Sequence, residues 1–372
     1  MTSPIDPNWM DRCLELAARA QGRTAPNPMV GSVVLQGDQV LGAGFHPGAG
    51  QPHAEVFALR AAGEQARGST LYVNLEPCNH YGRTPPCTEA ILQAGVARVV
   101  VGMVDPDPRV SGGGIERLRT NGIEVIVGVQ EAACQQLNEA FVHRVTQKRP
   151  FGILKYAMTL DGHIAAPTGH SFWVTGEAAR TEVHRLRSIC DAVIVGSNTV
   201  RQDNPQLTCR LEAGRNPLRI VMSRSLNLPE KAHLWDTATA PTLVLTEANP
   251  DPSKLQPDTH GQQLRQQFRQ LLEKQGVEVV ELDLLTPKTA LDYLYSRGLL
   301  TVLWECGGTL AAQAIREGTV QKLLAFIAPK IIGGSGFTPV ADLGFTEMTQ
   351  ALQLKQLQVR QLGQDWLFEG YL

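Results

Sequence analysis

The sequence predicts two α/β domains in one chain. Three observations carry this. Helix-period and strand-period patterns alternate through both halves. Lys148-Arg149-Pro150 interrupts the alternation, and a strand pattern restarts at Phe151. The chain has 372 residues, more than one domain of about 150 residues accounts for. The expected domains are residues 1–147 and 148–372.

The elements follow in order. Residues 6–19 place Trp9, Met10, Cys13, Leu14 and Ala17 at helical spacing. Residues 29–35 (MVGSVVL) read as a strand, with 39–44 as its hairpin partner across Gly37-Asp38. A helix over 54–66 ends at Gly68, 70–75 is a strand, and a helix over 88–94 is capped by Gly95. Residues 97–102 form a buried-strand run. A helix near 114–120, a strand over 123–127 and one helix over 131–146 complete the first half. In the second half, strands are expected over 151–158, 191–195, 218–222, 242–245, 277–282 and 300–305. Helices are expected over 177–188, in a stretch ending at Lys274, and over 289–297. Residues 248–262, with Pro250, Pro252 and Pro257, read as a surface loop. Two β-like runs, 352–361 and 366–371, close the chain.

Composition sets the class. Hydrophobic residues are 43% and charged residues 19%, as in ordinary folded proteins. A net charge of −2 argues against a nucleic-acid binder, which carries a basic excess. No apolar run reaches the roughly 18 residues of a membrane span, and MTSPIDPNWMDRC lacks the apolar core of a secretory signal. The expectation is a cytoplasmic homo-oligomer acting on small molecules, with no nucleic-acid or membrane partner. Seven cysteines, an odd number in a long chain, argue against a disulfide framework.

Four residues form a first chemical constellation. His53 and Glu55 open a predicted helix, Cys78 follows a strand and Cys87 precedes the next helix. One imidazole and two thiolates are a common ligand set for catalytic zinc, which keeps its fourth position for water. Zinc lowers the pKa of that water to about 7. Glu55, two residues from His53, is placed to shuttle protons without binding metal. The order H-x-E…P-C…C matches the zinc nucleobase-deaminase signature. The usual C-x-x-C spacing is replaced by eight intervening residues, NHYGRTPP.

HAE followed by LEPCNHYGRTPPC resembles the deaminase domain of the bifunctional riboflavin-biosynthesis deaminase/reductase family. APNPMVG (25–31) and MVDPDPRVSGGG (103–114) share the resemblance, which covers about residues 5–147. It implies a cytidine-deaminase-like α/β/α layered domain, with zinc on His53, Cys78 and Cys87 and Glu55 as proton shuttle. It also implies an aminopyrimidine substrate bearing a ribose 5-phosphate, lined by Asn27, His46, His80 and Arg83.

The second half has no G-x-G-x-x-G after its first strand, so the Rossmann fingerprint is missing. Its glycine pair, Gly307-Gly308, falls late, between a strand and a helix, where bare N–H groups can receive phosphate. Gly333-Gly334-Ser335-Gly336 reads either as a second such turn or as a mobile loop. Arg187 and Arg210 are candidates for forked hydrogen bonds to a phosphate. KYAMTLDG (155–162), SNTVRQDNPQLTCR (197–210) and ECGGTL (305–310) resemble the reductase domain of the same family, from about Phe151 to the C-terminus; residues 225–300 match poorly.

This second resemblance implies a dihydrofolate-reductase-like domain that reduces the ribosyl ring to ribityl with NADPH. Ala157, Trp173, Thr199, Ser223, Gly307, Gly308, Thr309, Leu310, Ala311, Ala312 and Gln313 would contact the cofactor. Ser171, Arg187, Asp203, Leu207, Arg210 and Glu305 would contact the substrate. Lys155 is read as substrate-contacting or proton-donating, and Asp203 as catalytic. Ser223 and Arg224 are the candidates for the cofactor's 2′-phosphate. Three other readings stand beside this one: a structural zinc with a binding-only second domain, a deaminase alone, and a deaminase of nucleic-acid bases.

Overall fold

The computed structural model describes residues 5–82, 85–211, 214–249 and 259–372. The chain divides into two compact units, residues 1–148 and 149–372. No described helix is long and apolar enough to cross a membrane.

The first unit is a sheet between two helical layers. Strands β1 (Gly31–Gln36), β2 (Gln39–Phe45), β3 (Thr70–Leu75), β4 (Arg98–Met103) and β5 (Glu124–Val127) lie in the order β2-β1-β3-β4-β5. β1 pairs antiparallel with β2 and β3, while β3, β4 and β5 are parallel. The pleat sends alternate β1 side chains to opposite faces. Val33 and Leu35 join a core with Met10, Cys13 and Leu16 of α1 (Asn8–Ala18). Val34 joins the other core. There it meets Ala58 of α2 (Ala54–Ala62), Ile91 of α3 (Cys87–Ala94) and Leu118 of α4 (Gly113–Thr120).

Two β2 glycines let α2 lie directly on the sheet. A Cβ at Gly42 would stand 2.2 Å from the Ala58 carbonyl oxygen, and one at Gly44 2.4 Å from Phe57 Cβ. β2 runs in the same sense as β3, so Gly44 sets the start of α2 level with the carboxyl end of β3.

One expectation is corrected here. Residues 131–146 form two helices, α5 (Glu131–Leu137) and α6 (Glu139–Gln147), not one. The break is Asn138 (φ −103°, ψ 22°), which is 2% exposed. Its side chain is used elsewhere: Oδ1 accepts from Met29 N at 2.8 Å and Nδ2 donates to Met29 O at 2.9 Å. That bidentate clasp holds the segment carrying Asn27.

The second unit is one nine-stranded sheet. Its strands are β6 (Phe151–Thr159), β7 (Ala192–Gly196), β8 (Leu218–Met222), β9 (Thr242–Glu247), β10 (Glu278–Leu282), β11 (Thr301–Trp304), β12 (Lys322–Ala328), β13 (Lys355–Leu362) and β14 (Asp365–Tyr371). The order is β10-β9-β8-β7-β11-β6-β12-β14-β13. The first seven in that order are parallel, and β14 runs antiparallel between β12 and β13. The chain winds outward from β7 to β10, returns to insert β11 beside β6, then crosses to β12. The order reverses at β7-β11-β6, where open α/β sheets leave a crevice at their carboxyl ends.

The helices of this unit are α7 (Glu177–Ile189), α8 (Ser197–Asp203), α9 (Thr259–Lys274), α10 (Pro287–Ser296) and α11 (Gly308–Arg316). α8 and β12 lie outside the sequence expectation. α8 is a seven-residue helix burying only Val200. β12 (KLLAFIA) is buried on both faces, so it shows no alternation. Of the expected loop 248–262, residues 250–258 lie outside the described residues and 259–262 already belong to α9. Loops before and after β8 are gathered by Arg219, 1% exposed, which donates to the carbonyls of Gln206, His233, Leu234, Asp236 and Ala240.

Asn138→Ala removes both Met29 bonds from a buried position. The expected loss is about 2 kcal/mol, read as an earlier denaturant midpoint of the first unit. A midpoint unchanged within error would show that the helix break does not depend on this clasp.

Candidate active sites

Three side chains converge at the carboxyl end of β3. His53 is the extended residue (φ −77°, ψ 166°) that opens α2. Cys78 follows β3 after Pro77, and Cys87 opens α3 after Pro86. His53 Nδ1 lies 3.2 Å from Cys87 Sγ and 3.5 Å from Cys78 Sγ. Among the described residues this is the one group of three His, Cys, Asp or Glu side chains placed to share a metal ion, with all donor atoms within 4.8 Å of one another. Tetrahedral zinc ligands at bond lengths of about 2.1 and 2.3 Å lie about 3.6 Å apart, so the donor set fits that ion. Hydrogen bonds from Cys87 and then His53 lower the Cys78 thiol pKa, and the same contact raises that of Cys87. The Cys78 contact raises His53.

Glu55 stands in the first turn of α2, 3% exposed, and its Oε2 is buried without a hydrogen-bond partner. Burial, then the negative charge of Cys78, pushes its pKa up to about 7. It is therefore a carboxyl able to take or give a proton at neutral pH.

Asn27 and His46 sit beside this cluster. The His46 ring packs edge-on to His53, with centroids 5.4 Å apart. Its Nδ1 faces the Pro52 carbonyl at 3.1 Å and its Nε2 faces Asn27 Nδ2 at 3.3 Å. Burial lowers its pKa, so the neutral ring donates to Pro52 and accepts from Asn27. That arrangement leaves the Asn27 carbonyl oxygen for another partner. His80 is exposed on the turn after Cys78, and Arg83 lies outside the described residues.

Glu76 escapes the motif reading. It is 3% exposed, and its carboxylate accepts four backbone N–H groups: Asp105, Gly112, Gly114 and Ile115, at 2.9–3.2 Å. It seats the 104–114 loop against the Pro77-Cys78 turn, where a Cβ on Gly114 would lie 2.0 Å from the Pro77 carbonyl oxygen. Asn79 completes the turn, accepting from Thr88 Oγ1 and Arg117 and donating to Gly113 O. The available sequence signal is a carboxylate directly after the apolar strand TLYVNL.

The second site lies at the sheet reversal. Leu154 pairs with Trp304, so Lys155 on β6 and Glu305 after β11 stand level. Arg187, in the last turn of α7, grips Glu305 with two bonds of 2.6 and 2.8 Å, and Lys155 Nζ lies 3.7 Å away. Burial raises the Glu305 carboxyl, but Arg187 and Lys155 outweigh it and hold the pKa down at about 2. Burial lowers the Lys155 pKa against the pull of Glu305. The third Arg187 nitrogen donates to Thr208 O at 3.2 Å. Its fork is thus already occupied, while exposed Arg210 has no hydrogen bond or ion pair among the described residues.

Other expected residues surround the same strand ends. Ser171 Oγ donates to Asp203 Oδ1 at 3.3 Å. Trp173 is 63% exposed in a left-handed conformation (φ 62°), with the Arg180 guanidinium 4.0 Å from its ring. Leu207 is buried, also with positive φ (54°). Ser223 follows β8, level with Ser197, and its buried hydroxyl has no partner. Arg224 instead faces Glu247 at 3.8 Å and Leu285 O at 3.3 Å. Ala157 is half-buried on β6, and Thr199 lies in α8. Gly307 opens α11, and a Cβ there would meet nothing within 4 Å.

A model of the cytidine and deoxycytidylate deaminase zinc-binding region matches residues 4–103, and one of the RibD C-terminal domain matches residues 150–368. The riboflavin biosynthesis protein RibD of Synechocystis is 60% identical over 368 residues, covering 99% of this chain and 96% of the relative. The chain belongs to the RibD family. Among solved structures, RibD of Acinetobacter baumannii superimposes with a TM-score of 0.84 at 39% identity over 98% of both chains. The diaminohydroxyphosphoribosylaminopyrimidine deaminase/5-amino-6-(5-phosphoribosylamino)uracil reductase of Thermotoga maritima gives 0.84 at 37% identity over 98% of both chains. The first unit of this RibD-family chain is therefore cytidine-deaminase-like, and the second carries the RibD reductase fold.

Glu305→Gln keeps the shape but leaves Arg187 buried without its counter-charge. The expected cost at pH 7 is about 3 kcal/mol or more, read as a lower denaturant midpoint of the second unit. The native Glu305 pKa lies below its ordinary 4.5, so the parent's advantage is full above that pH and fades as pH falls toward about 2. Equal stability of the two proteins at pH 7 would contradict the assigned pair.

Proposed function

We propose that residues 1–147 hydrolytically deaminate 2,5-diamino-6-(5-phosphoribosylamino)pyrimidin-4-one and that residues 148–372 reduce the resulting 5-amino-6-(5-phosphoribosylamino)uracil with NADPH. The observation that carries the first half is buried Glu55, with its Oε2 unpartnered, beside a His-Cys-Cys donor set. The second half rests on the Lys155–Glu305–Arg187 cluster at the sheet reversal. Membership of the RibD family supports both halves. The protein is a bifunctional enzyme of riboflavin biosynthesis, a hydrolase and an oxidoreductase, and acts in the cytoplasm as a homo-oligomer.

His53, Cys78 and Cys87 hold zinc. Bound there, the ion supplies Lewis acidity and a nucleophilic water at neutral pH. Glu55 accepts the proton of the attacking water and returns it to the leaving amino group. One C–N bond breaks, one C–O bond forms, and ammonia leaves. Asn27 and His46 orient the pyrimidine, and His80 serves its phosphoribosyl arm; Arg83, outside the described residues, is assigned to the same pocket by the family resemblance alone.

In the second unit, the ribosylamine must open to an imine before its anomeric carbon can take a hydride. Asp203 and Ser171 hold the ribose hydroxyls, with Glu305 fixed by Arg187 beside them. Lys155 is placed to give a proton to the sugar oxygen or the imine nitrogen. Arg210, its fork without a partner among the described residues, takes the phosphate, and Leu207 packs against the substrate. The cofactor seat comprises Ala157, Trp173, Thr199 and Gly307, Gly308, Thr309, Leu310, Ala311, Ala312 and Gln313. NADPH, when bound, supplies the hydride. The buried Ser223 hydroxyl fits an acceptor on the cofactor's 2′-phosphate, whereas Arg224 is engaged by Glu247.

A two-stage assay on zinc-loaded protein tests this. Ammonia release without cofactor, then NADPH oxidation once cofactor is added, is the expected result. Glu55→Gln should cut ammonia release by about 10²- to 10⁴-fold with zinc content unchanged; loss of zinc would contradict its role. Asp203→Asn should leave ammonia release intact and slow NADPH oxidation about tenfold or more. Equal loss of both activities would refute the separation into two units.

A further inference from the structure

One segment of the second unit is unexplained by the sites above. After β12 the chain runs from Lys330 to Ala341 across the carboxyl ends of β6 and β11. It begins where Leu160 N donates to Lys330 O at 2.8 Å. It then pairs with the turn after β6: Ile164 N donates to Phe337 O at 2.8 Å, and Phe337 N to Ala165 O at 3.2 Å. It ends against the start of α11, where Ala341 N donates to Gly308 O at 3.0 Å. A Cβ on Gly308 would lie 2.6 Å from Thr338 O. The segment thus reaches the turn that the proposed cofactor seat uses.

Apolar burial holds only the end of this strap, where Val340 packs against the core; it does not hold the stretch from Ile331 to Phe337. Ile331, Ile332 and Phe337 are 76%, 48% and 55% exposed. Hydrogen bonds hold it, and Asp161 of the TLDG turn collects several. Its Oδ2 accepts Gly333 N at 2.7 Å and Ile332 N at 3.1 Å, while Oδ1 accepts the Thr159 hydroxyl at 2.5 Å. Gly333, whose N–H meets that carboxylate, and Gly334 after it both have positive φ (69° and 72°), a conformation that favours glycine. Gly336 must lack a side chain, since a Cβ would lie 2.4 Å from the His163 ring. Lys330 Nζ donates to Trp173 O at 2.5 Å, so the strap also tethers an expected cofactor contact.

We propose that Asp161 is a positioning residue for the reduction: its carboxylate sets the 330–341 strap across the mouth of the second site, against the cofactor seat at α11. The inference rests on the reading of that site as the NADPH site. The Thr159 hydroxyl and then the Gly333 N–H hold the Asp161 pKa down at about 2, so the anion persists throughout the working pH range. A strap that touches cofactor before and during hydride transfer contributes uniform binding. Its loss therefore appears in KM rather than in kcat.

The test compares the full-length parent with Asp161→Ala and Asp161→Asn in the two-stage assay. Asp161→Ala should raise the KM for NADPH about tenfold or more, with kcat changed by less than about threefold and ammonia release unchanged. Asp161→Asn keeps one carbonyl oxygen for the strap and should restore most of the KM. Trypsin cleavage after Lys330 should accelerate in Asp161→Ala, whether or not cofactor is present. A KM within twofold of a parent that oxidises NADPH, or unchanged cleavage, overturns the strap role. A parent that releases ammonia but oxidises no NADPH overturns the cofactor reading instead, and the cleavage rate still decides whether Asp161 holds the strap.

Discussion

Three glutamates lie almost out of reach of water beside the two sites, and a buried carboxylate is costly unless something compensates it. Glu76 is compensated by four backbone N–H groups, which makes it a fixed peg for the 104–114 loop. Glu305 is compensated by the Arg187 fork and by Lys155, which makes it a fixed charge at the sheet reversal. Glu55 is buried with an unpartnered oxygen near the negative Cys78, so it holds its proton more tightly than an ordinary carboxyl, up to about pH 7. The same residue type gives a structural peg, a fixed charge and a carboxyl poised near neutrality, and the number of donors facing each carboxylate decides which.

Both units place these groups at the carboxyl ends of parallel strands. In the first, β3 ends in the Glu76-Pro77-Cys78 turn, and glycine-lined β2 lets α2 bring His53 and Glu55 to the same level. In the second, β11 ends in Glu305 and the Gly307-Gly308 turn, while neighbouring β6 offers Lys155. Parallel strands are buried on both faces, so their ends are where side chains and bare N–H groups can face a ligand. The strap after β12 uses the same edge, bridging the ends of β6 and β11 through backbone bonds.

Much of this was legible in the chain. The alternation of helical and strand periods marked most elements, because those elements have one buried face or clear caps. β12, buried on both sides, has no period to read, and α8 is too short to show one. The unbroken helical pattern over 131–146 hid the break at Asn138, whose side chain answers to Met29, 109 residues away. The candidate metal donors were legible because the order H-x-E…P-C…C encodes both residue type and element edge, even with an eight-residue insertion in place of the usual two.

Sequence alone determined the two-domain α/β organisation, the candidate donor set for zinc and the family resemblance, since each depends on local order and spacing. Only the tertiary structure decided which charges are compensated. It engaged Arg187 with Glu305 and left exposed Arg210 without a hydrogen bond or ion pair among the described residues. It gave Glu76 four backbone partners from a segment 29 to 39 residues downstream. It laid the glycine run 333–336 over the turn that carries Asp161. These outcomes depend on distances between residues far apart in the chain, and burial sets their strength; neither quantity exists until the strands have paired.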